Sequence, residues 1–251
     1  MNIHFFEEYP TEENLKKAGQ TGFPTKVFIA AKTPEEFQKA QKYLNRIGVP
    51  AVFWPLLEKA YWISPFSDPG DLSTLQTYAG EFSEILFDQE LPMIRKNLFI
   101  RNALYFFKNT RKIQHLYGEF AQKKTKIFTA EYPATGPVSQ FVLRCLGVAF
   151  DPEKLDHTKI IMFYSSMIPS SLQAGMRRQL RSLSRKYGKR VQIGLGTIQT
   201  GVFGDEPILS PEHLEKDLEF ARAAGFDTAV IFRLGGLNDS NLEVLRRFAS
   251  K

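Results

Sequence analysis

Ile85-Leu86-Phe87-Asp88-Gln89-Glu90-Leu91-Pro92 is a run of strand-forming apolar residues that ends in two acids and is stopped by a proline. Alternate side chains of a strand share a face, so Leu86, Asp88 and Glu90 point one way and Ile85, Phe87 and Gln89 the other. Two acids on one face above an apolar base are costly to bury unless they are paired or used. Neighbouring cations or backbone donors could satisfy them. The alternative, a reactive site, gains weight because similar endings recur along the chain.

Working outward from this stretch, seven more apolar runs appear: Ile3 to Glu8, Lys26 to Ala31, Ala51 to Pro55, Lys126 to Glu131, Lys159 to Tyr164, Val191 to Gly196 and Thr228 to Arg233. Helical segments separate them. Thr33-Pro34-Glu35-Glu36 and Ser210-Pro211-Glu212-His213 each combine an N-cap hydroxyl with a proline and an acid in the first turn. Eight alternating units predict an α/β protein with a closed parallel sheet, a single (β/α)8 TIM barrel over residues 1–251. An open doubly wound sheet fits less well, because Glu8-Tyr9-Pro10 stands where a glycine-rich phosphate turn would follow the first strand.

Composition narrows the class. A chain of 251 residues with 43% hydrophobic content can bury a substantial core, and no run approaches the ~18 apolar residues of a membrane span. Met1 to Glu8 shows no basic and then apolar leader pattern, so a cytoplasmic protein is expected. The lone Cys145 excludes an internal disulfide and reads as a small buried hydrophobe on a helix. The net charge of +6 is concentrated in two segments. One, from Arg95 to Lys124, interleaves Arg95, Lys96, Arg101, Lys108, Arg111 and Lys112 with aromatic residues; the other runs from Arg177 to Arg190. Such faces could attract phosphates or an anionic membrane. The plainer reading makes them solvated helix faces whose aromatics turn to the core.

Barrels carry their reacting groups at the C-terminal ends of the strands. Glu8, Asp88, Glu90 and Glu131 fall there, with Glu206 in the loop after the seventh strand. Glu8-Tyr9-Pro10 and Glu131-Tyr132-Pro133 repeat one tripeptide on units one and five. Arg233, ending the eighth strand beside the first, is the expected counter-charge to Glu8. Trp54, Trp62, Tyr9, Tyr132 and Tyr164 offer flat faces beside the acids, a combination that suits a sugar ring. The four histidines are scattered, with His4 expected as a satisfied core residue near the barrel base. No ligand spacing for a transition metal appears, and no cofactor is expected.

Asp88-Gln89-Glu90 resembles the end of the Asp-x-x-Asp-x-Asp-x-Glu motif of family 18 chitinases, and Met162-Phe163-Tyr164 resembles that family's Met-x-Tyr-Asp. The resemblance implies that Glu90 is the general acid, that Asp88 orients and polarises the substrate N-acetyl group, and that Tyr164 holds the same group. Ser83 and Leu86 replace the earlier aspartates of the motif, Ser165 follows Tyr164, and Arg233 stands where the family usually presents a tryptophan.

Three functions are open at this stage. One is a glycoside-hydrolase-like enzyme acting on a soluble oligosaccharide or glycoconjugate, with Glu90 as acid and Asp88, Glu8 or Glu131 as partner. The second is a sugar isomerase or lyase using a divalent ion held by the same carboxylates. The third is a non-catalytic carbohydrate-binding barrel in which Arg233 neutralises the acids. The expected partner is a small carbohydrate, with no nucleic acid and no integral membrane segment. Glu8, Asp88, Glu90, Glu131, Tyr164 and Arg233 are expected to converge in one cleft.

Overall fold

A computed structural model describes residues 1–250. Each apolar run becomes a strand: β1 (Asn2–Glu7), β2 (Val27–Ala31), β3 (Ala51–Pro55), β4 (Glu84–Gln89), β5 (Lys126–Glu131), β6 (Thr158–Phe163), β7 (Val191–Gly196) and β8 (Thr228–Phe232). All pair in parallel with their sequence neighbours. β1 closes on β8 through five residue pairs from Asn2↔Thr228 to Phe6↔Phe232, which makes the sheet a barrel. This is the expected (β/α)8 fold.

Around it lie α1 (Glu12–Lys16), α2 (Pro34–Arg46), α3 (Pro69–Thr77), α4 (Asn97–Arg101), α5 (Phe106–Gln122), α6 (Pro137–Cys145), α7 (Ser170–Tyr187), α8 (Pro211–Ala223) and α9 (Asp239–Phe248). The capping signals act as read. Thr33 accepts the Glu36 N–H at the start of α2, and Ser210 accepts the His213 N–H at the start of α8. Among the described residues, no helix is long and apolar enough to cross a membrane.

Strand alternation divides the apolar residues into two cores. Phe6, Phe28, Trp54, Leu86, Phe128 and Met162 fill the barrel interior, with Phe28 and Phe128 stacked edge to face at 5.1 Å. Phe5, Ile29, Phe53, Ile85 and Phe87 face outward and bury the inner stripes of the helices. The base of the barrel is polar: Lys26 and Lys126 both pair with Glu84. His4 lies close to this group, half-buried, and burial followed by the charge of Lys26 lowers its pKa to about 4. Its place near the base is as expected, but its Nδ1 has no hydrogen-bond partner, so it is not the satisfied core residue expected from the sequence.

Two surface expectations fail. Cys145 is exposed, because α6 buries no residue at all and turns Val138, Phe141, Val142 and Cys145 outward. In the first basic segment Tyr117 is buried as expected, but Tyr105 and Phe107 are exposed. The reason is local. The chain after β4 does not form one amphipathic helix but breaks into a 3-10 turn at Met93–Arg95, α4, a second 3-10 turn at Ala103–Tyr105 and α5, so one helical face never reaches the core.

Candidate active site at the barrel mouth

β4 ends at Gln89, sooner than the sequence suggests. Asp88 is therefore a strand residue held inside the barrel, while Glu90 lies one step beyond in a turn closed by its own N–H on Asp88 O at 3.1 Å. Both still face one cavity of about 350 Å³, the low end of the range for small-molecule sites. Its wall carries Glu8 from the end of β1, Trp54 from β3, Tyr132 from the end of β5 and Tyr164 from the end of β6. Phe232, at the top of β8, supplies an aromatic surface 5.5 Å from the Tyr164 ring.

Two long loops complete the wall. The loop after β3 is laid over β4 by a hydrogen bond from Ile63 N to Asp88 O at 2.8 Å, which brings Trp62 to the mouth. In the same loop a short backbone bridge joins Leu57 and Tyr61, and the Tyr61 hydroxyl donates to Glu8 Oε1. The loop after β7 brings Phe203 to 5.8 Å from Trp62 and places Glu206 against the cavity, where it accepts the Phe203 N–H at 3.1 Å. Gly201 separates the two acids of this side. A Cβ there would lie 2.9 Å from Glu8 Oε2 and 3.0 Å from Glu206 Oε1. The Phe232 ring is closer still, at 2.7 Å, so a side chain here would have to displace these cavity groups.

The cavity contains carboxylates and aromatics but no lining lysine, arginine or histidine. Three of its acids, Asp88, Glu90 and Glu8, are shifted towards the protonated form. Burial pushes the Asp88 carboxyl well above its usual range. The charges of Glu90 and Glu8 add to the rise, and the indole N–H groups of Trp54 and Trp62 pull against it. Burial raises Glu90 to about 7 against the lowering effect of a hydrogen bond from Tyr132, and the Glu8 charge raises it again. The Tyr132 hydroxyl also accepts the Leu91 N–H at 3.2 Å, which fixes it beside Glu90. Glu8 rises to about 7 as well, through burial opposed by the Tyr61 hydrogen bond and the Arg233 charge. One oxygen each of Glu8, Asp88 and Glu206 is buried with no hydrogen-bond partner. Such atoms call for a ligand, a water or a proton.

Two expected members are elsewhere. Glu131 faces the helices, where Lys159 Nζ meets its Oε2 at 2.7 Å, Thr129 donates to its Oε1 at 2.9 Å and His157 stands 3.6 Å away. Burial opposes its charge, but Lys159 and His157 win and hold its pKa below the ordinary value. The cause is parity: Glu131 and Tyr132 are adjacent, and it is Tyr132 that points inward. Arg233 binds Glu7 and not Glu8, at 3.0 Å, donates to Thr200 O at 2.8 Å and stacks its guanidinium 4.7 Å from the Tyr9 ring centroid. The expected single cleft thus holds Glu8, Asp88, Glu90 and Tyr164, together with Trp54, Trp62 and Tyr132. It excludes Glu131 and Arg233.

The sequence reading missed Tyr61, Phe203 and Phe232. Tyr61 and Phe203 lie in loops where no periodicity assigns a direction. Phe232 could have been found, since it is two residues beyond the inward-facing Val230.

No family model and no curated protein matches the sequence. Solved structures do match in fold. The PgaB (BpsB) glycoside hydrolase domain from Bordetella bronchiseptica superposes with a TM-score of 0.62 at 15% identity, covering 99% of this chain and 98% of its own. A GH18 chitinase from Pseudoalteromonas aurantia gives a TM-score of 0.62 at 9% identity, covering 99% and 100%. D-allulose 3-epimerase from Methylomonas sp. gives 0.58 at 12% identity, covering 99% and 98%. At these identities the likeness establishes a barrel of shared architecture, and chemistry must be argued from the site.

Proposed function

We propose that this barrel is a glycoside-hydrolase-like enzyme acting on an oligosaccharide or glycoconjugate, with Glu90 as the general acid. The observation that carries the reading is the pair at the end of β4. Asp88 and Glu90 open on one aromatic-walled cavity that contains no cation, so the pair retains a proton near neutral pH. Glu90 is the outer member, half-buried at the mouth and oriented by Tyr132, where a leaving glycosidic oxygen would arrive. Asp88, buried and facing the indole N–H groups of Trp54 and Trp62, would orient a substrate amide in the manner the chitinase resemblance implies. Glu8, three strands away around the barrel, is the second carboxylate available to water or to the sugar. Trp54, Trp62, Tyr132, Tyr164 and Phe232 supply surfaces for sugar C–H faces. The glycoside hydrolases among the structural neighbours are consistent with this assignment.

The other two readings lose support. Permanent neutralisation of the acids by Arg233, the basis of a non-catalytic barrel, does not occur, because Arg233 binds Glu7 outside the cavity. A divalent-ion isomerase needs three or more convergent donors, and among the described residues no such group of His, Cys, Asp or Glu is arranged to hold a metal ion.

The test is Glu90→Gln assayed on aryl glycosides with good and poor leaving groups. Fold and ligand binding should persist while kcat on the poor leaving group falls by roughly 10²–10⁴, the usual contribution of general acid catalysis. The good leaving group should be largely spared, since it needs little protonation. Equal loss on both substrates, or no loss on either, removes Glu90 from the role.

A further inference from the structure

Apart from Ile47, every large apolar side chain that is substantially exposed lies on a segment leaving the C-terminal end of a strand, on the mouth side of the barrel. The densest group follows β4. Ile100 on α4, Leu104 on the 3-10 turn after it and Phe107 on the first turn of α5 are 86%, 95% and 78% exposed. This is a built feature, because the opposite face of the segment is pinned. Buried Asn102 donates to Phe66 O at 2.8 Å, and buried Asn109 donates to Pro65 O at 2.9 Å and Ser67 O at 2.8 Å. The neighbouring α6 turns out Val138 (78% exposed) and Phe141 (66%). The chain just beyond α6 comes close to α5: a Cβ on Gly147 would lie 3.6 Å from the Thr110 hydroxyl.

The segment itself carries only unpaired cations. Arg95, Lys96, Arg101, Lys108 and Arg111 are exposed, and none has a carboxylate within ion-pair distance among the described residues. Residues 91–118 and 132–150 contain no aspartate or glutamate. The acids nearest this face, Asp68 and Asp71, lie in the loop and helix after β3 and are already held, Asp68 by Lys59 at 3.1 Å and by the Gly70 N–H, and Asp71 by the Lys59 N–H at 3.1 Å.

We propose that this face docks on an anionic lipid bilayer, with the apolar side chains of the 100–107 segment and α6 entering the interface and the five cations meeting lipid headgroups. Protruding apolar side chains beside uncompensated cations are the composition of an interfacial anchor. A symmetric dimer would set the same patch against itself and place cation against cation, so a second copy fits poorly. Met93, at the start of the segment, lines the catalytic cavity, so docking would hold the mouth close to the lipid surface. A substrate carried by a membrane glycoconjugate would then be within reach. The docking itself does not depend on the hydrolase assignment.

The experiment is flotation of the full chain with phosphatidylcholine vesicles, with and without equimolar phosphatidylglycerol. Binding should be at least tenfold stronger to the anionic vesicles, since each basic side chain near such a surface contributes roughly fivefold, and it should weaken as salt is raised. The triple variant Ile100→Asp/Leu104→Asp/Phe107→Asp should lower binding at least tenfold. Arg95→Glu/Lys96→Glu/Arg101→Glu, which alters only exposed side chains, should remove the preference for anionic lipid. Unchanged thermal unfolding shows that both variants fold. Failure to float, equal binding to the two vesicles, or binding indifferent to both variants overturns the proposal. So does a concentration-dependent dimer that the apolar variant dissolves while wild type ignores vesicles, because the face would then belong to a second copy.

Discussion

Two strands end in the same three residues, and they use them in opposite ways. In Glu8-Tyr9-Pro10 the glutamate turns into the barrel and the tyrosine turns out, over Arg233. In Glu131-Tyr132-Pro133 the glutamate turns out, onto Lys159, and the tyrosine turns in, beside Glu90. The structural equivalent of Glu131 is thus Glu7, which Arg233 clamps, and the equivalent of Glu8 is Tyr132. A shift of one residue between motif and strand exchanges the faces of every side chain. The electrostatic result is just as opposed: burial raises Glu8 to about 7 against the charge of Arg233, whereas Lys159 and His157 overcome burial and hold Glu131 low.

The comparison is broken most severely at Lys159. Lys159→Met keeps the volume but leaves Glu131 buried without its partner, and loss of one member of a buried pair costs about 3–5 kcal/mol. Chemical denaturation should show that loss, and Glu131→Gln in the same background should recover part of it. A cost below about 1 kcal/mol, the value of an exposed pair, would mean that Glu131 is not held as described.

Next in size is Glu8→Gln, which should act in the opposite direction. Glu8 has a folded pKa of about 7 against an ordinary value of 4.5, so the folded state binds more protons between those limits and stability falls as pH rises through them. Glutamine keeps an acceptor for Tyr61 and removes the titration. At pH above 7 the variant should be more stable by on the order of 3 kcal/mol, and its unfolding free energy should decline less steeply than wild type over that window, Glu90 and Asp88 still supplying their own share. Glu131, with its lowered pKa, contributes stability that is present above its ordinary value and lost as pH falls through the folded value. Acid titrations of Glu8→Gln and Glu131→Gln should therefore differ in sign.

The smallest effect sharpens the role of the inward tyrosine. The Tyr132 hydrogen bond lowers the Glu90 pKa, so Tyr132→Phe should raise it, by up to about one unit or roughly 1.4 kcal/mol. The alkaline limb of a pH–rate profile, where Glu90 loses its proton, should move to higher pH. A limb that does not move would show that Tyr132 contributes packing alone.

Legibility in the sequence followed periodicity. β3, β5 and β7 have the bounds that their apolar runs predict, and the hydroxyl-Pro-acid starts of α2 and α8 are real caps. Leu86 and Asp88 face inward as alternation requires. Where strand order gave way to loop, direction was lost: Tyr61 and Phe203 were invisible as site residues, and Arg233 was assigned to the wrong neighbour of an adjacent glutamate pair. Glu131 is a different failure. Alternation alone forbids Glu131 and Tyr132 from sharing a face, but not which of the two points inward.

What the sequence by itself determined is the barrel and the position of its acids at strand ends. Those follow from local patterns of burial and capping that repeat eight times and admit one economical closure. Which acids share a cavity, and which find a cation, was decided only by the tertiary structure. A carboxylate's chemistry is set by the charges and dipoles within a few ångströms of it, and these come from residues far apart in the chain: Lys159 for Glu131, Arg233 for Glu7, and Tyr61 for Glu8.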